Sequence, residues 1–396
     1  MRIFTCTPVA FGGGADFFAR DSGLLCRGLQ MIGCESQAVM PGRAKAEDEA
    51  DLIRTDFRNL ESPVWWSTLE LDSVVLYAWG RPMFRKVAKA IHDAGIFLIL
   101  NQDNGGLVSP LAGLSNWLDE QWILAGQGRG PIAWIRFLKL TFRGFTAGLI
   151  LTDPLRAMHL KQGDVIACVS PKATESYRRL CRFYGGKELQ DRVHVIPHAV
   201  ELRFHFSGNP KSRQVACVGR WQDFVQKRPW LLMEVIERLV ATDEQVSVVI
   251  AGTITGRLES WHRSMPKLER NRVQLRGQVN RHELAEILAE SKVFYSPSAF
   301  ESFGIAAAEA LCSGCSVVAG RSVSMASFEW FVSENSGMLV LGDDAASHAG
   351  SLMEELAAWD SGRRDAKKIS KVWCERLHAD KVAESVLRHL REVTDL

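Results

Sequence analysis

The chain has 396 residues, of which 46% are hydrophobic; it can bury a large core, and two domains are expected rather than one small module. Lys plus Arg (48) nearly balance Asp plus Glu (46), so overall charge gives no basis for nucleic-acid binding and any basic partner surface must be local. Nine cysteines are spread irregularly, several in apolar runs such as those around Cys168 and Cys217, a pattern of buried free thiols in a reducing compartment. The first residues lack the long apolar core of a signal peptide, and no stretch reaches the ~18 to 20 uncharged apolar residues that a spanning helix needs. A cytoplasmic location is expected.

In chain order, residues 2–7 read as a strand, followed by Gly12, Gly13 and Gly14 and then by helical spacing of Phe17, Phe18, Leu24, Leu25 and Leu29. Strands are expected at 73–77, 96–100, 164–170 and 193–196, with helical stretches between several of them. A polar run at 207–213 breaks the pattern. A second series follows at 214–218, 246–251, 273–275, 293–295 and 317–319, again separated by helical patterns. Alternation of this kind predicts mostly parallel sheets covered on both faces. The fold class expected is α/β, with two tandem Rossmann-like, doubly wound domains facing a central cleft, since ligands gather at the carboxyl ends of parallel strands. The expected bounds are 1–204, 205–372 and a C-terminal amphipathic helix at 373–396 that packs back on the first domain.

Residues 293–318 carry the sharpest chemistry. A strand ending near Tyr295 turns through Ser296, Pro297 and Ser298 and enters an alanine-rich helix read as running from about Gly304 to Leu311. Glu301 is expected at the helix mouth and Glu309 about two turns inside, eight residues of helix rising by roughly 12 Å. That spacing suits gripping two ends of one extended ligand. Backbone N–H groups near Phe303, Gly304 and Ile305 would lie between, and a helix N-terminus favours negative charge. A nucleoside diphosphate-sugar has hydroxyls at both ends and a diphosphate in the middle. Cys312 and Cys315 have C-x-x-C spacing, but no second pair accompanies them and they follow a helix instead of opening one; two buried thiols beside a helix-ending Gly314 are expected.

With Pro297, Ser298, Phe300, Glu301, Phe303, Gly304, Glu309, Ala310, Gly314, Val317 and Val318 in their places, the chain resembles the family 4 retaining glycosyltransferases of the GT-B fold, which carry a Glu-x7-Glu signature. Gly219 and Arg220 followed by Lys227 resemble that family's basic pair behind a strand, and Arg228 is the alternative to Lys227. The resemblance is strong over about 190–320 and weak in the first half of the chain. It implies that Glu309 accepts hydrogen bonds from ribose hydroxyls and that Glu301 binds or orients the donor sugar. Arg220 and Lys227 would hold the diphosphate, with Gly219, Phe303, Gly304 and Ile305 around the donor. Fixed cations and helix N–H groups can offset charge on a leaving diphosphate, so no cofactor and no metal is expected. Gly12, Gly13, Gly14 and Asp103 are the candidates for the acceptor or diphosphate loop.

The function expected is transfer of a hexose-type sugar from a nucleotide diphosphate-sugar to a hydroxyl on a glycan, lipid or small acceptor. The alternatives are a nucleotide-sugar epimerase of the same fold and a non-catalytic nucleotide-sugar or glycan-binding relative. Residues 129–145 interleave Arg129, Arg136, Lys139 and Arg143 with Trp134, Phe137, Leu138, Phe142 and Phe145. Such a helix either faces a core or lies in a membrane interface, and the second reading adds peripheral attachment at the inner membrane surface.

Overall fold

A computed structural model describes residues 1–126, 130–333 and 335–394. The chain divides into two compact units, one formed by Met1–Glu201 with Leu377–Leu396 and the other by Leu202–Arg376.

The first unit is built on seven strands: β1 (Ile3–Cys6), β2 (Ala38–Pro41), β3 (Leu52–Thr55), β4 (Ser73–Tyr77), β5 (Phe97–Gln102), β6 (Val165–Cys168) and β7 (Val193–Val195). Their order is β3-β2-β1-β4-β5-β6-β7, and every neighbouring pair is parallel. Most of these strands are buried along their whole length because helices cover both faces. On one face Leu24, Leu25 and Leu29 of the helix Asp21–Met31 pack with Ile3, Val75 and Ile99. Val382, Ala383, Val386 and Leu390 of the last helix, Ala379–Thr394, complete that layer. The terminal segment is thus two helices, Ala366–Leu377 and Ala379–Thr394, where the sequence suggested one beginning near 373.

The second unit carries six strands: β8 (Ser212–Arg220), β9 (Ser247–Thr253), β10 (Val273–Gly277), β11 (Ser291–Ser296), β12 (Ser316–Gly320) and β13 (Gly337–Val340). They are ordered β10-β9-β8-β11-β12-β13, all in parallel register. Val215, Cys217, Val248, Ile250, Val293 and Tyr295 point into one core beneath the helices Pro229–Thr242 and Ala345–Asp360. Each unit is therefore a doubly wound, Rossmann-like α/β domain.

The basic aromatic stretch differs from its expected form. Arg129 lies outside the described residues. The helix runs Pro131–Arg143, continues as a wider π-helical turn over Gly144–Thr152, and resumes as an α-helix at Asp153–Leu160. No helix among the described residues is long and apolar enough to cross a membrane. All nine cysteines are free, and eight are buried. Cys315 donates through Sγ to the Leu288 and Ser291 carbonyls, and burial pushes the Cys312 and Cys315 thiols up.

Candidate active site

In a doubly wound sheet the connections leave in opposite directions at the point where strand order reverses, and a crevice opens there at the carboxyl ends. In the second unit that point is the β8/β11 boundary. β8 ends at Arg220 and β11 at Ser296, so the Arg220–Lys227 loop and the Ser296–Gly304 loop emerge side by side.

The two loops are joined by a polar network. The Lys227 ammonium donates to Oε1 of Glu301. Ser298 Oγ donates to the same oxygen at 3.0 Å, and Gln226 Nε2 reaches Glu301 Oε2 at 3.3 Å and the Phe300 carbonyl at 3.1 Å. Arg220, exposed at the strand end, donates to Gln226 Oε1 at 3.3 Å. Gln226 thus couples the two residues that the sequence singled out on separate loops. Its role depends on a contact across about 75 residues, which no local spacing announces.

Glu301 is not in the helix. It forms an isolated bridge with Met325, its N–H donates to the Ser324 carbonyl at 2.9 Å, and the Ala326 N–H donates to its own carbonyl at 3.2 Å. The helix runs only from Ile305 to Cys312, so the eight-residue spacing to Glu309 is half loop and half helix and is not a uniform helical rise. Gly304 is the reason for the late start: it sits at φ 82°, left-handed, and a Cβ there would lie 2.7 Å from the Phe328 ring. Its carbonyl accepts the first rungs, from Ala307 at 2.9 Å and Ala308 at 3.1 Å. The Ile305 N–H lies upstream of that ladder. The Phe303 ring is 1% exposed and packs edge-on against Phe331; this side chain is core, and only its backbone is available to a ligand.

Glu309 is 2% exposed, and Arg281 places Nη2 2.7 Å from its Oε1. Arg281 opens the helix Arg281–Glu290, and its guanidinium lies 4.7 Å from the Phe204 ring centroid. A buried carboxylate needs such a partner to stay charged, and sequence reasoning missed it. Arg228 is not an alternative to Lys227. It is buried in the left-handed region at φ 46°, donating to the Pro297 and Ser298 carbonyls and to Asp343. Those bonds fasten the turn that carries Ser298. Gly219, half-buried one residue before Arg220, lies against the Trp221 ring.

In the first unit the strand order reverses at β1/β4. A cavity of about 520 Å³ opens there, with Gly12, Gly14, Asp21, Glu47, Tyr77 and Trp79 in its wall. Gly13 is not in that wall; it is buried, and a Cβ there would meet Leu52 at 2.2 Å and Asp48 at 2.3 Å, so its smallness serves packing. Asp103 pairs with Nε2 of His198 at 3.0 Å, and Asp21 lies 3.7 Å from the other ring nitrogen. His198 is 1% exposed. Burial works against its charge, but the two carboxylates outweigh that and carry its pKa up to about 9.

With this geometry in hand, comparison with known proteins narrows the reading. Residues 212–357 match the family model described as glycosyl transferases group 1. The matched stretch holds Arg220, Gln226, Lys227, Arg281, Glu301 and Glu309. A D-inositol 3-phosphate glycosyltransferase of Xylanimonas cellulosilytica is 31% identical over 212 residues, covering 48% of each chain; the chain thus spans about half the length of that curated relative. Two solved structures align over the full length of both chains. They are the lipopolysaccharide outer core galactosyltransferase WaaB, at a TM-score of 0.64 and 13% identity, and Anabaena HepE in complex with UDP and glucose, at 0.61 and 13%. At that identity the likeness is one of fold, the two-domain Rossmann-like fold.

Proposed function

We propose that the protein is a retaining glycosyltransferase that moves a hexose-type sugar from a nucleotide diphosphate-sugar to a hydroxyl acceptor on a glycan, lipid or small molecule. The observation that carries this reading is the Arg220–Gln226–Glu301–Lys227 network at the strand-order reversal of the unit that matches a glycosyltransferase family. Arg220 and Lys227 hold the diphosphate. Glu301 orients the donor sugar, with Gly219, the backbone of Phe303 and Gly304, and the Ile305 N–H close by. Glu309, paired with Arg281, accepts from the ribose hydroxyls.

In the transfer step the acceptor oxygen bonds to the anomeric carbon on the face from which the diphosphate departs. The carbon–oxygen bond to the diphosphate breaks with its electron pair on the phosphate oxygen, and that oxygen takes the acceptor's proton. Negative charge grows on the diphosphate, where two fixed cations and a helix N-terminus stabilise it with no metal or other cofactor. HepE is described with UDP and glucose bound, so UDP-sugars are the first donors to test.

The helix Pro131–Arg143 supports a membrane-surface role. Ile132, Ile135, Leu138 and Phe142 are between 60% and 72% exposed, beside the exposed Arg136, Lys139 and Arg143. Monomeric proteins rarely leave such a patch bare, and the pairing of apolar area with cations suits the surface of an anionic leaflet. Together with the nine free thiols, it supports a cytoplasmic protein attached peripherally to the inner membrane surface.

The test is a nucleotide-release screen over nucleotide-sugars, followed by NMR of the product's anomeric centre. Glycoside with the donor's configuration and free nucleotide is expected. An isomerised donor without glycoside would mark an epimerase, and binding without turnover a non-catalytic relative.

A further inference from the structure

The helix Ile305–Cys312 carries two of the proposed donor contacts, Glu309 and the Ile305 N–H, on only eight residues. A helix of that length is marginal on its own in water. It lies between two left-handed glycines, Gly304 at φ 82° and Gly314 at φ 80°, the residue type with the most backbone freedom. Its position is therefore set by what grips its ends.

One helix, Ala366–Leu377, grips both. Ala366, Ser370 and Trp373 recur there at the i, i+4, i+7 spacing of a single face, while Lys367, Lys368, Lys371 and Glu375 on the other side are exposed. At the C-terminal end of Ile305–Cys312, a Cβ on Gly314 would lie 2.6 Å from the Ala366 carbonyl. Ser370 Oγ donates to the Cys312 carbonyl at 2.5 Å and accepts from the Phe206 N–H at 3.0 Å. At the N-terminal end Trp373 meets Phe331 edge-on at 5.3 Å, and Phe331 meets Phe303, one residue before Gly304, at 5.2 Å. All three rings are 2% exposed or less. Phe328, 5.7 Å from Phe331, closes on Gly304 itself, where a Cβ would come 2.7 Å from its ring. From Ala366 to Trp373 the helix rises roughly 10 Å, and Ile305–Cys312 rises roughly 12 Å, so the grip spans the donor helix from end to end.

We infer that Ser370 and Trp373 are positioning residues of the donor site. At 5% and 2% exposed, neither is available to a ligand. Each acts through the helix Ile305–Cys312, whose placement decides whether Glu309 and the Ile305 N–H meet the nucleotide. A displacement of about 1 Å takes a hydrogen bond out of range. The two residues also lie beyond the stretch 212–357 that matches the glycosyltransferase family. The inference rests on the glycosyltransferase reading above, and it extends that donor site to a helix which bears none of its contacts.

Calorimetry on the full chain with UDP, GDP and ADP tests it, because affinity and binding-competent fraction are read separately. Trp373→Leu should raise the nucleotide Kd about 10-fold, the scale of one hydrogen bond to a charged group. Trp373→Phe, which keeps an aromatic edge for Phe331, should stay within about 3-fold of the unaltered chain. Ser370→Ala should raise Kd about 3-fold, the scale of one neutral hydrogen bond. The comparison is Leu239→Ala, 0% exposed in a core cluster that includes no residue of either helix; it lowers stability and should leave Kd unchanged. Unchanged Kd in Trp373→Leu and Ser370→Ala would overturn the inference, as would an equal rise in Leu239→Ala. If Trp373→Leu does not fold, Ser370→Ala read against Leu239→Ala decides alone. An unaltered chain that binds none of the three nucleotides defeats the donor-site reading and the inference with it, whereas binding that the substitutions leave untouched defeats the inference alone.

Discussion

The Lys227 ammonium is bound to the Glu301 carboxylate, with the two side chains 16% and 12% exposed. A cation expected to hold a diphosphate is therefore already neutralised before donor arrives. Under the proposed function, donor binding shares or displaces that bond.

The pair yields opposite signs for two measurements. Glu301→Gln frees Lys227, so UDP alone should bind about 3-fold tighter, the worth of a modest ion pair, while transfer falls about a hundredfold because the donor sugar loses its orienting group. Lys227→Ala and Arg220→Ala should weaken both UDP binding and turnover. Calorimetry with UDP and steady-state kinetics check this; parallel loss in Glu301→Gln would show that the pair does not compete with donor.

Arg281 and Glu309 form the second pair, and here burial dominates. Arg281→Ala removes the cation beside a carboxylate that is 2% exposed, at a cost of about 3–5 kcal/mol in urea unfolding. The Arg281→Ala/Glu309→Ala double variant should be less destabilised than the sum of the singles. Exact additivity would mean the contact carries no coupling.

For His198 the folded pKa, about 9, lies above the unfolded value near 6.5. Its stabilising contribution is full below about pH 6.5 and is lost as pH rises through about 9. The groups facing the ring are Asp103, Asp21 and Tyr77, whose ring centroid lies 6.1 Å away. Thermal stability should fall between pH 7 and pH 9.5, and His198→Gln should flatten that slope. An imidazole resonance titrating near 6.5 would contradict it.

Ile135→Asp and Phe142→Asp should abolish flotation with anionic liposomes and leave nucleotide release in solution unchanged. Substituting Arg136 and Lys139 by Gln should weaken binding mainly at low salt, where screening is least. Equal flotation on neutral and anionic vesicles would remove the electrostatic part of the proposal.

Much of this architecture can be read in the residues, and the misses share a cause. Strands β8, β9 and β11 announce themselves as apolar β-branched runs because both faces are covered. β2, β3 and β13 carry Pro41, Arg54 and Gly337, which break the apolar run that marks a strand. For the helix Pro131–Arg143 the spacing shows which side is apolar but not what covers it; that side is exposed. Glu301 and Glu309 are visible as a spaced pair, yet Gly304's left-handed turn puts one in a loop and the other in the helix. Gln226 and Arg281 gain their roles from contacts across long stretches of chain, which local pattern cannot carry.

The helix Ala379–Thr394 lies over the helix Asp21–Met31 so closely that a Cβ on Gly28 would come 2.2 Å from the Ala379 carbonyl. The first unit is consequently completed only after the second has been made. On the ribosome its sheet emerges early and waits, with Leu24, Leu25 and Leu29 uncovered, while the whole second unit is synthesised. Four late side chains, Val382, Ala383, Val386 and Leu390, then close the layer, worth roughly 1.5–3 kcal/mol for each large one. A truncation that removes Val386 and Leu390 therefore injures a layer begun by Leu24, Leu25 and Leu29, and that layer stays open on the nascent chain until the helix Ala379–Thr394 has left the exit tunnel.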